Sequence, residues 1–158
     1  MRRSLLTMAL LGGALTVAHA DTFSFTSTDG TLDVTGSISG APFFTEPTNG
    51  GAIYQTSITA NGTTIGSYVG LFNPVLSAGA GLPPLDFSFY VQSDDYLYGG
   101  EQVYSGMPAD PVLVPGIYDL TGYVPVLNGQ GDVTGYTVSE SGTLVIAAPS
   151  PTDRKTHV

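Results

Sequence analysis

Apolar and polar residues alternate along most of this chain, and two turn sequences fix the register of that alternation. The first turn is Asp29-Gly30, a favoured two-residue hairpin turn because both residue types tolerate positive φ. A turn there places Phe25 opposite Val34 on one face and Phe23 opposite Gly36, where the aromatic ring can cover the bare glycine. Turn chemistry and hydrophobic pattern therefore predict the same hairpin.

At the second turn, Asn61-Gly62, turn chemistry and hydrophobic pattern again predict the same register. It places Ile58 opposite Ile65 and Tyr54 opposite Val69, so that apolar residues meet on one face and polar residues on the other. We expect a second antiparallel hairpin in the first half of the chain.

The rest of the chain predicts further short strands separated by segments rich in Pro and Gly, and no helical apolar period of useful length follows residue 20. Strands and turns at this spacing favour an all-β fold: a single antiparallel β-sandwich of jelly-roll or Ig-like type, with a partly open barrel as the alternative. The further strands are predicted at Asp86–Gln92, Tyr96–Tyr104, Gly116–Val124, Thr134–Ser139 and Thr143–Ala147.

The first twenty residues predict an export signal. Arg2 and Arg3 precede an apolar stretch, and Ala18-His19-Ala20 fits a small-x-small cleavage pattern. A cleaved signal leads us to expect a bacterial protein that is secreted or held in the periplasm or cell envelope, without a transmembrane segment in the mature chain. The predicted organisation is a signal peptide at 1–20, a β-sandwich domain at 21–148 and a disordered polar tail at 149–158.

Between residues 21 and 153 the chain contains no lysine, arginine, histidine, cysteine or tryptophan, while all thirteen acidic residues lie after residue 20. These absences remove the usual thiol and amine nucleophiles and the imidazole that transfers protons near neutral pH. They also disfavour binding to nucleic acid, because neutralising phosphates takes Lys and Arg. We expect a non-enzymatic protein without an organic cofactor.

Carboxylates and flexible glycines leave calcium as the metal that this composition could hold, because calcium needs only oxygen ligands. Candidate ligands are Asp94 and Asp95, followed by Gly99-Gly100, and Asp132 in the loop Asn128–Asp132. Neither loop follows the regular twelve-residue calcium pattern. The alternative interpretation is that these carboxylates belong to ordinary solvent-exposed loops that bind no metal.

Tyrosines concentrate in the second half of the chain and could form a ligand-binding face. Tyr96, Tyr98 and Tyr104 are the candidates, with a sugar as the expected ligand because tyrosine rings offer flat apolar surfaces and a polar hydroxyl. The alternative is ordinary sheet surface, since tyrosine is also a favoured strand residue.

Several stretches resemble small exported bacterial proteins of the PEP-CTERM group. They are 81–89 (GLPPLDFSF), 96–100 (YLYGG), 115–122 (PGIYDLTG) and 141–146 (SGTLVI), together with 36–40 (GSISG) followed by Ile53-Tyr54. The resemblance spans about residues 21–147 and implies a cysteine-poor β-domain sorted to the envelope or to an exopolysaccharide matrix. The chain departs from the group at its end, where Ser150 stands between the prolines in place of Glu and no apolar helix follows.

Two functions fit these observations. The first is a non-enzymatic structural protein of the extracellular matrix or envelope, whose acidic, hydroxyl-rich surface stays hydrated among extracellular polysaccharide. The second is a carbohydrate-binding or calcium-dependent adhesive module. Specific glycan binding that depends on the tyrosines would distinguish the second from the first.

Overall fold

A computed structural model of the protein describes residues 21–46, 50–91, 94–107 and 110–148. The predicted export signal and polar tail lie outside these residues. The described part contains twelve strands and one short helix. That helix is not long and apolar enough to cross a membrane. The strands are β1 (Asp21–Ser27), β2 (Asp33–Ile38), β3 (Phe44–Glu46), β4 (Gly51–Ala60), β5 (Thr63–Leu71), β6 (Leu85–Val91), β7 (Asp94–Gly99), β8 (Tyr104–Met107), β9 (Asp110–Leu113), β10 (Gly116–Leu127), β11 (Val133–Val138) and β12 (Gly142–Ile146), and the helix is α1 (Pro74–Gly79).

Eight of the strands form a closed antiparallel barrel. Each strand pairs with the next one of the set along the chain, in the order β1-β2-β4-β5-β6-β7-β10-β12, and β12 pairs with β1 to complete the circle. Closure depends on β7 and β10, where Tyr98 lies opposite Gly122 and Leu97 lies opposite Tyr123. The prediction of a β-sandwich is therefore wrong, and the alternative barrel is closed rather than partly open.

The physical reason for this error lies in the pattern itself. A strand with one buried and one solvated face alternates in the same way in a sandwich and in a barrel. The two architectures differ in whether the edge strands meet, and that depends on a contact between segments far apart in sequence. Gly122 allows a different close approach, that of the segment at residues 139–141 to β10, because a Cβ at this position would collide with the backbone oxygen of Glu140.

Both predicted hairpin registers are confirmed. In β1 and β2, Phe25 pairs with Val34 and Phe23 with Gly36, where the Phe23 ring fills the place of a side chain. The turn is wider than two residues, however, since Ser27 N–H donates to the Leu32 oxygen at 2.9 Å.

Asp29 does not adopt positive φ in this wider turn, whereas Gly30 does, with φ 73°. The Asp29 carboxylate instead accepts the Thr31 N–H at 2.7 Å and the Ser27 hydroxyl at 2.9 Å. The side chain thus closes the loop through a local Asx-type turn, which the two-residue interpretation missed.

The second hairpin follows the prediction at every position. All nine pairs between Ala52–Ala60 and Thr63–Leu71 have the predicted register, and both turn residues have positive φ, 47° at Asn61 and 81° at Gly62. Asn61 also joins the two hairpins, because its side chain accepts the Asp33 N–H at 2.8 Å and donates to the Thr31 oxygen at 3.0 Å.

Inward-facing aromatic and aliphatic side chains fill the middle of the barrel. Phe25, Phe87 and Phe89 are almost fully buried, and the Phe25 ring centroid lies 5.3 Å from that of Phe89 and 4.4 Å from that of Tyr98. An eight-stranded barrel has an interior that side chains can fill, with room for one small ligand where they do not.

Connections at the two ends of the barrel differ in length. The turns β1–β2 and β4–β5 are short and lie at one end, which we call the open end. Three long connections lie at the other end and contain elements that the sequence pattern did not predict: β3, α1 and the hairpin β8–β9. The connection from β7 to β10 contributes three residues to the buried core: Val103, Tyr104 and Leu113. They occupy the interior near the end of β7 and the start of β10.

Strand β10 continues beyond the barrel at its open end. Its first half pairs with β12 and its second half with β11, on either side of a short irregular segment at residues 139–141. The β10–β11 hairpin projects as one extended wall, closed at its tip by hydrogen bonds between Asn128 and Asp132.

Candidate ligand-binding site

A cavity of about 860 Å³ lies at the open end of the barrel, and we call it the cup. Ligand pockets in proteins have volumes of about 300–1,000 Å³, so the cup can hold a small organic molecule. The ends of β2, β4, β5, β6 and β7 surround it, and the projecting β10–β11 hairpin forms its tallest side. Its lining residues are Thr31, Leu32, Ala60, Asn61, Thr63, Ile65, Val91, Asp94, Tyr96, Leu97, Tyr98, Tyr123, Val124, Pro125, Leu127, Ser139 and Glu140.

Two tyrosines of β7 lie on the inner wall of the cup. They are two residues apart on one strand and therefore point to the same side of the sheet. Tyr96 is half-buried and stacks on the Phe89 ring, with centroids 5.5 Å apart and an interplanar angle of 22°. Tyr98 is buried deeper, against Phe25 and Phe89. The core rings thus hold both tyrosines in fixed positions with their outer parts facing the cavity.

Burial and nearby carboxylates keep these phenols protonated. Burial raises the pKa of Tyr98 far above its ordinary value, and the neighbouring Tyr96 and Glu140 raise it further. The pKa of Tyr96 is raised by burial first and then by the charges of Asp94 and Glu140. Both rings therefore remain neutral at physiological pH and can act as apolar faces and hydroxyl donors, not as bases.

The rim of the cup carries acidic groups. Asp94 begins β7, and Glu140 lies in the irregular segment between β11 and β12; both are exposed. One Glu140 carboxylate oxygen accepts the backbone N–H of Asp29 at 2.7 Å, which fixes this side chain against the β1–β2 turn. Hydrogen bonds donated by the Thr31 backbone N–H and the Ser27 hydroxyl hold the pKa of Asp29 well below its usual range, so this carboxylate is ionised.

The structure brings together two of the three tyrosines predicted to bind a ligand. Tyr96 and Tyr98 line the cup, whereas Tyr104 lies in the connection at the opposite end, 3% exposed and without a hydrogen-bond partner for its hydroxyl. The error arose because Tyr104 was placed on the same predicted strand as the other two. That strand ends at Gly99, and Tyr104 begins the separate hairpin β8–β9.

The predicted calcium ligands occupy different places. Asp94 lines the cup, Asp95 follows it in β7 with a side chain outside the described part, and Asp132 closes the tip of the β10–β11 hairpin. The Asn128 amide donates to the Asp132 carboxylate at 3.1 Å, so this carboxylate already has a structural partner. Within the described ranges, no group of three or more His, Cys, Asp or Glu side chains is arranged to hold a metal ion.

Sequence reasoning missed most of the cup. Ile65 appeared only as a member of a predicted hairpin, and Leu32, Tyr123 and Glu140 drew no functional interpretation. The available signal was the run of strand-favouring residues from Tyr123 to Leu127, which continues past the predicted strand end at Val124 and indicates a longer hairpin.

A second, smaller concavity lies on the outer surface of the barrel, with a volume of about 370 Å³. Tyr68, Gly70 and Tyr90 are among the residues that line it, and Phe43 packs on Tyr68 with ring centroids 5.9 Å apart. This groove contains none of the predicted site residues. The cup is larger and has walls on several sides, so we consider it the candidate site.

No protein-family model matches the chain, and neither a curated protein nor a solved structure matches it. The functional argument therefore depends on the cup and on the composition of the chain.

Proposed function

We propose that this protein is a non-enzymatic bacterial binding protein, exported from the cytoplasm, that takes a small organic ligand into the cup. The observation that carries the proposal is the cavity of about 860 Å³ at the open end of a closed barrel, with tyrosine rings on its wall. A wall held in place by strand pairing and by packed core rings is ordered before the ligand arrives, which lowers the entropic cost of binding.

The composition of the cup supports binding over catalysis. Residues 21–153 supply no imidazole, thiol or amine, and the two inner tyrosines have raised pKa values. The carboxylates Asp94 and Glu140 lie at the exposed rim, where solvent screens them. These groups suit recognition of a ligand and offer no activated nucleophile or base.

Export is supported by the leader-like first twenty residues and remains part of the proposal. A role as a structural protein in contact with extracellular polysaccharide is the second candidate. It is favoured by the hydroxyl-bearing exterior of the barrel, where the Thr59 and Thr64 hydroxyls lie 2.9 Å apart on neighbouring strands, and by the acidic charge. Such a protein would need no specific ligand in the cup.

Saturation-transfer NMR with a library of small organic compounds and oligosaccharides separates the two candidates. Two blocking variants place a large ring at the cup: Ala60→Trp on the inner wall and Thr63→Trp at the exposed rim. The control, Ser57→Trp, adds the same ring to the outer face of β4, opposite Gly66, where the space is open.

We expect bound compounds to retain saturation transfer with Ser57→Trp and to lose it with both blocking variants. Circular dichroism checks that each variant folds, and Thr63→Trp covers the case in which the inner substitution disturbs the core. The proposed function would be refuted if compounds bound equally well to both blocking variants, or if no compound bound at all.

A further inference from the structure

The described open end of the barrel carries negative charge only. Asp29, Asp94 and Glu140 lie there, and residues 21–153 contain no lysine, arginine or histidine. No basic group in this range can therefore neutralise the carboxylates or pair with an anionic ligand. The field of the cup repels anions and attracts cations.

Both apolar and acidic side chains line the cup. The inner surface is built from Leu32, Ile65 and Val91 together with the Tyr98 ring, and the carboxylates stand at the rim. Leu32 is 8% and Val91 9% exposed and Ile65 is partly buried, so the floor presents a small aliphatic surface to the cavity. A ligand that fills this space therefore needs an apolar body and a polar or charged group.

Neutral tyrosine rings add a second attraction for a positive group. A cation over the face of a tyrosine ring is stabilised by the ring quadrupole, and more strongly where water is partly excluded. Tyr96 is half-buried, and the charges of Asp94 and Glu140 both act on it, so ring and carboxylates share one region of the cup. Tyr123, on the neighbouring strand β10 opposite Leu97, also lines the cup.

We infer that the ligand of the cup is an amphiphilic organic cation, with its apolar body against Leu32, Ile65 and Tyr98 and its ammonium group near Asp94 and Glu140. This inference rests on the proposed function and specifies its ligand class. A sugar fits less well, because its hydroxyls would lose hydrogen bonds to water against an aliphatic floor.

Three probes that share one apolar body test the inference: 4-phenylbutyltrimethylammonium, 4-phenylbutan-1-ol and 4-phenylbutyrate. Each is titrated into ¹⁵N-labelled protein, and the dissociation constants are obtained from amide chemical shifts at low salt. We expect the ammonium probe to bind about tenfold more tightly than the alcohol, equivalent to roughly 1.4 kcal/mol, and the carboxylate to bind most weakly. Added sodium chloride should reduce the difference by screening.

Removing the rim charges should reduce this preference. Glu140→Gln and Asp94→Asn keep the size of each side chain and are expected to weaken binding of the ammonium probe several-fold each, with little effect on the alcohol. Asp119→Asn is the matched control, because Asp119 is exposed on the half of β10 that pairs with β12 and does not line the cup.

The outcomes separate the inference from the proposed function. Equal binding of the three probes, preference for the carboxylate, or an equal effect of Asp119→Asn would overturn the cation inference and leave the cup as a binding site. Binding of oligosaccharides in the cup without binding of the ammonium probe would do the same. Shifts outside the cup residues, or no binding by any probe or library compound, would overturn both.

Discussion

Asp86 is a buried carboxyl group whose replacement should change how the stability of the protein depends on pH. The residue lies in β6 with 0% exposure; one of its oxygens accepts the Val103 N–H at 3.2 Å and the other has no hydrogen-bond partner. Burial raises its pKa from 3.8 to about 7, although the Val103 hydrogen bond acts in the opposite direction. The folded protein therefore holds this carboxyl in its neutral form up to about neutral pH.

The sign of the effect follows from the two states. Below pH 3.8 the carboxyl is protonated whether the chain is folded or not, and it has no electrostatic cost. As the pH rises from about 4 to 7, the unfolded chain releases this proton and the folded chain keeps it, so the free energy of unfolding falls. At about 1.4 kcal/mol per tenfold change in proton affinity, the loss reaches about 4 kcal/mol above pH 7.

Asp86→Asn keeps the acceptor for Val103 and cannot ionise. Its buried amide donors lack partners, which costs about 1–3 kcal/mol at every pH. We therefore expect the variant to be less stable than the natural protein at pH 4 and more stable at pH 8. The difference in free energy of unfolding between Asp86→Asn and the natural protein should change by about 4 kcal/mol between these two pH values. The penalty for the buried amide does not alter this change, because it is the same at every pH.

Urea unfolding at pH 4, 6 and 8, followed by far-UV circular dichroism and tyrosine fluorescence, measures this difference. Asp119→Asn removes an exposed charge on β10 and serves as the control for the loss of one surface carboxylate. A difference for Asp86→Asn that stays within about 1 kcal/mol from pH 4 to pH 8 would refute the reasoning.

Three further substitutions test the parts of the fold that shape the cup. Gly122→Ala places a Cβ against the Glu140 backbone oxygen and should cost about 3 kcal/mol in urea unfolding, whereas Gly135→Ala, in open space on β11, should be neutral or slightly stabilising. Asn61→Ala loses two hydrogen bonds and a tolerated positive φ, a cost of about 2–4 kcal/mol by the same assay; Asn61→Gly, which restores only the φ, should recover part of it. Asp29→Asn should lower the melting temperature at pH 7, and the gap should close as the pH falls below 3.8, because the lowered pKa of Asp29 stabilises the fold only while the carboxylate is ionised.

Local features of the sequence predict the hairpins well. At Asn61-Gly62 the turn residues fix the register of nine pairs, because both must adopt positive φ and only one alignment then buries Ile58 and Tyr54 together. The pairing of Phe23 with Gly36 was predictable for the same reason, since a bare glycine leaves space that a facing ring can fill.

Closure of the barrel was not predictable from such patterns. The pairing of β7 with β10 joins Leu97 to Tyr123 across a connection that contains its own hairpin, and alternation within either strand does not specify it. The cup depends on this pairing, so Tyr96 and Tyr98 could be proposed as a ligand-binding pair from their spacing, but their partners on β10 could not.

The contact between β7 and β10 is therefore the feature to measure first, because a cup with a continuous wall exists only if these strands meet. Nuclear Overhauser effects between backbone protons of Tyr98 and Gly122, and between those of Leu97 and Tyr123, report it directly in labelled protein. The account predicts strong cross-strand effects for both pairs, with slow amide exchange along the seam. Their absence, with β7 and β10 assigned to separate sheets, would contradict it.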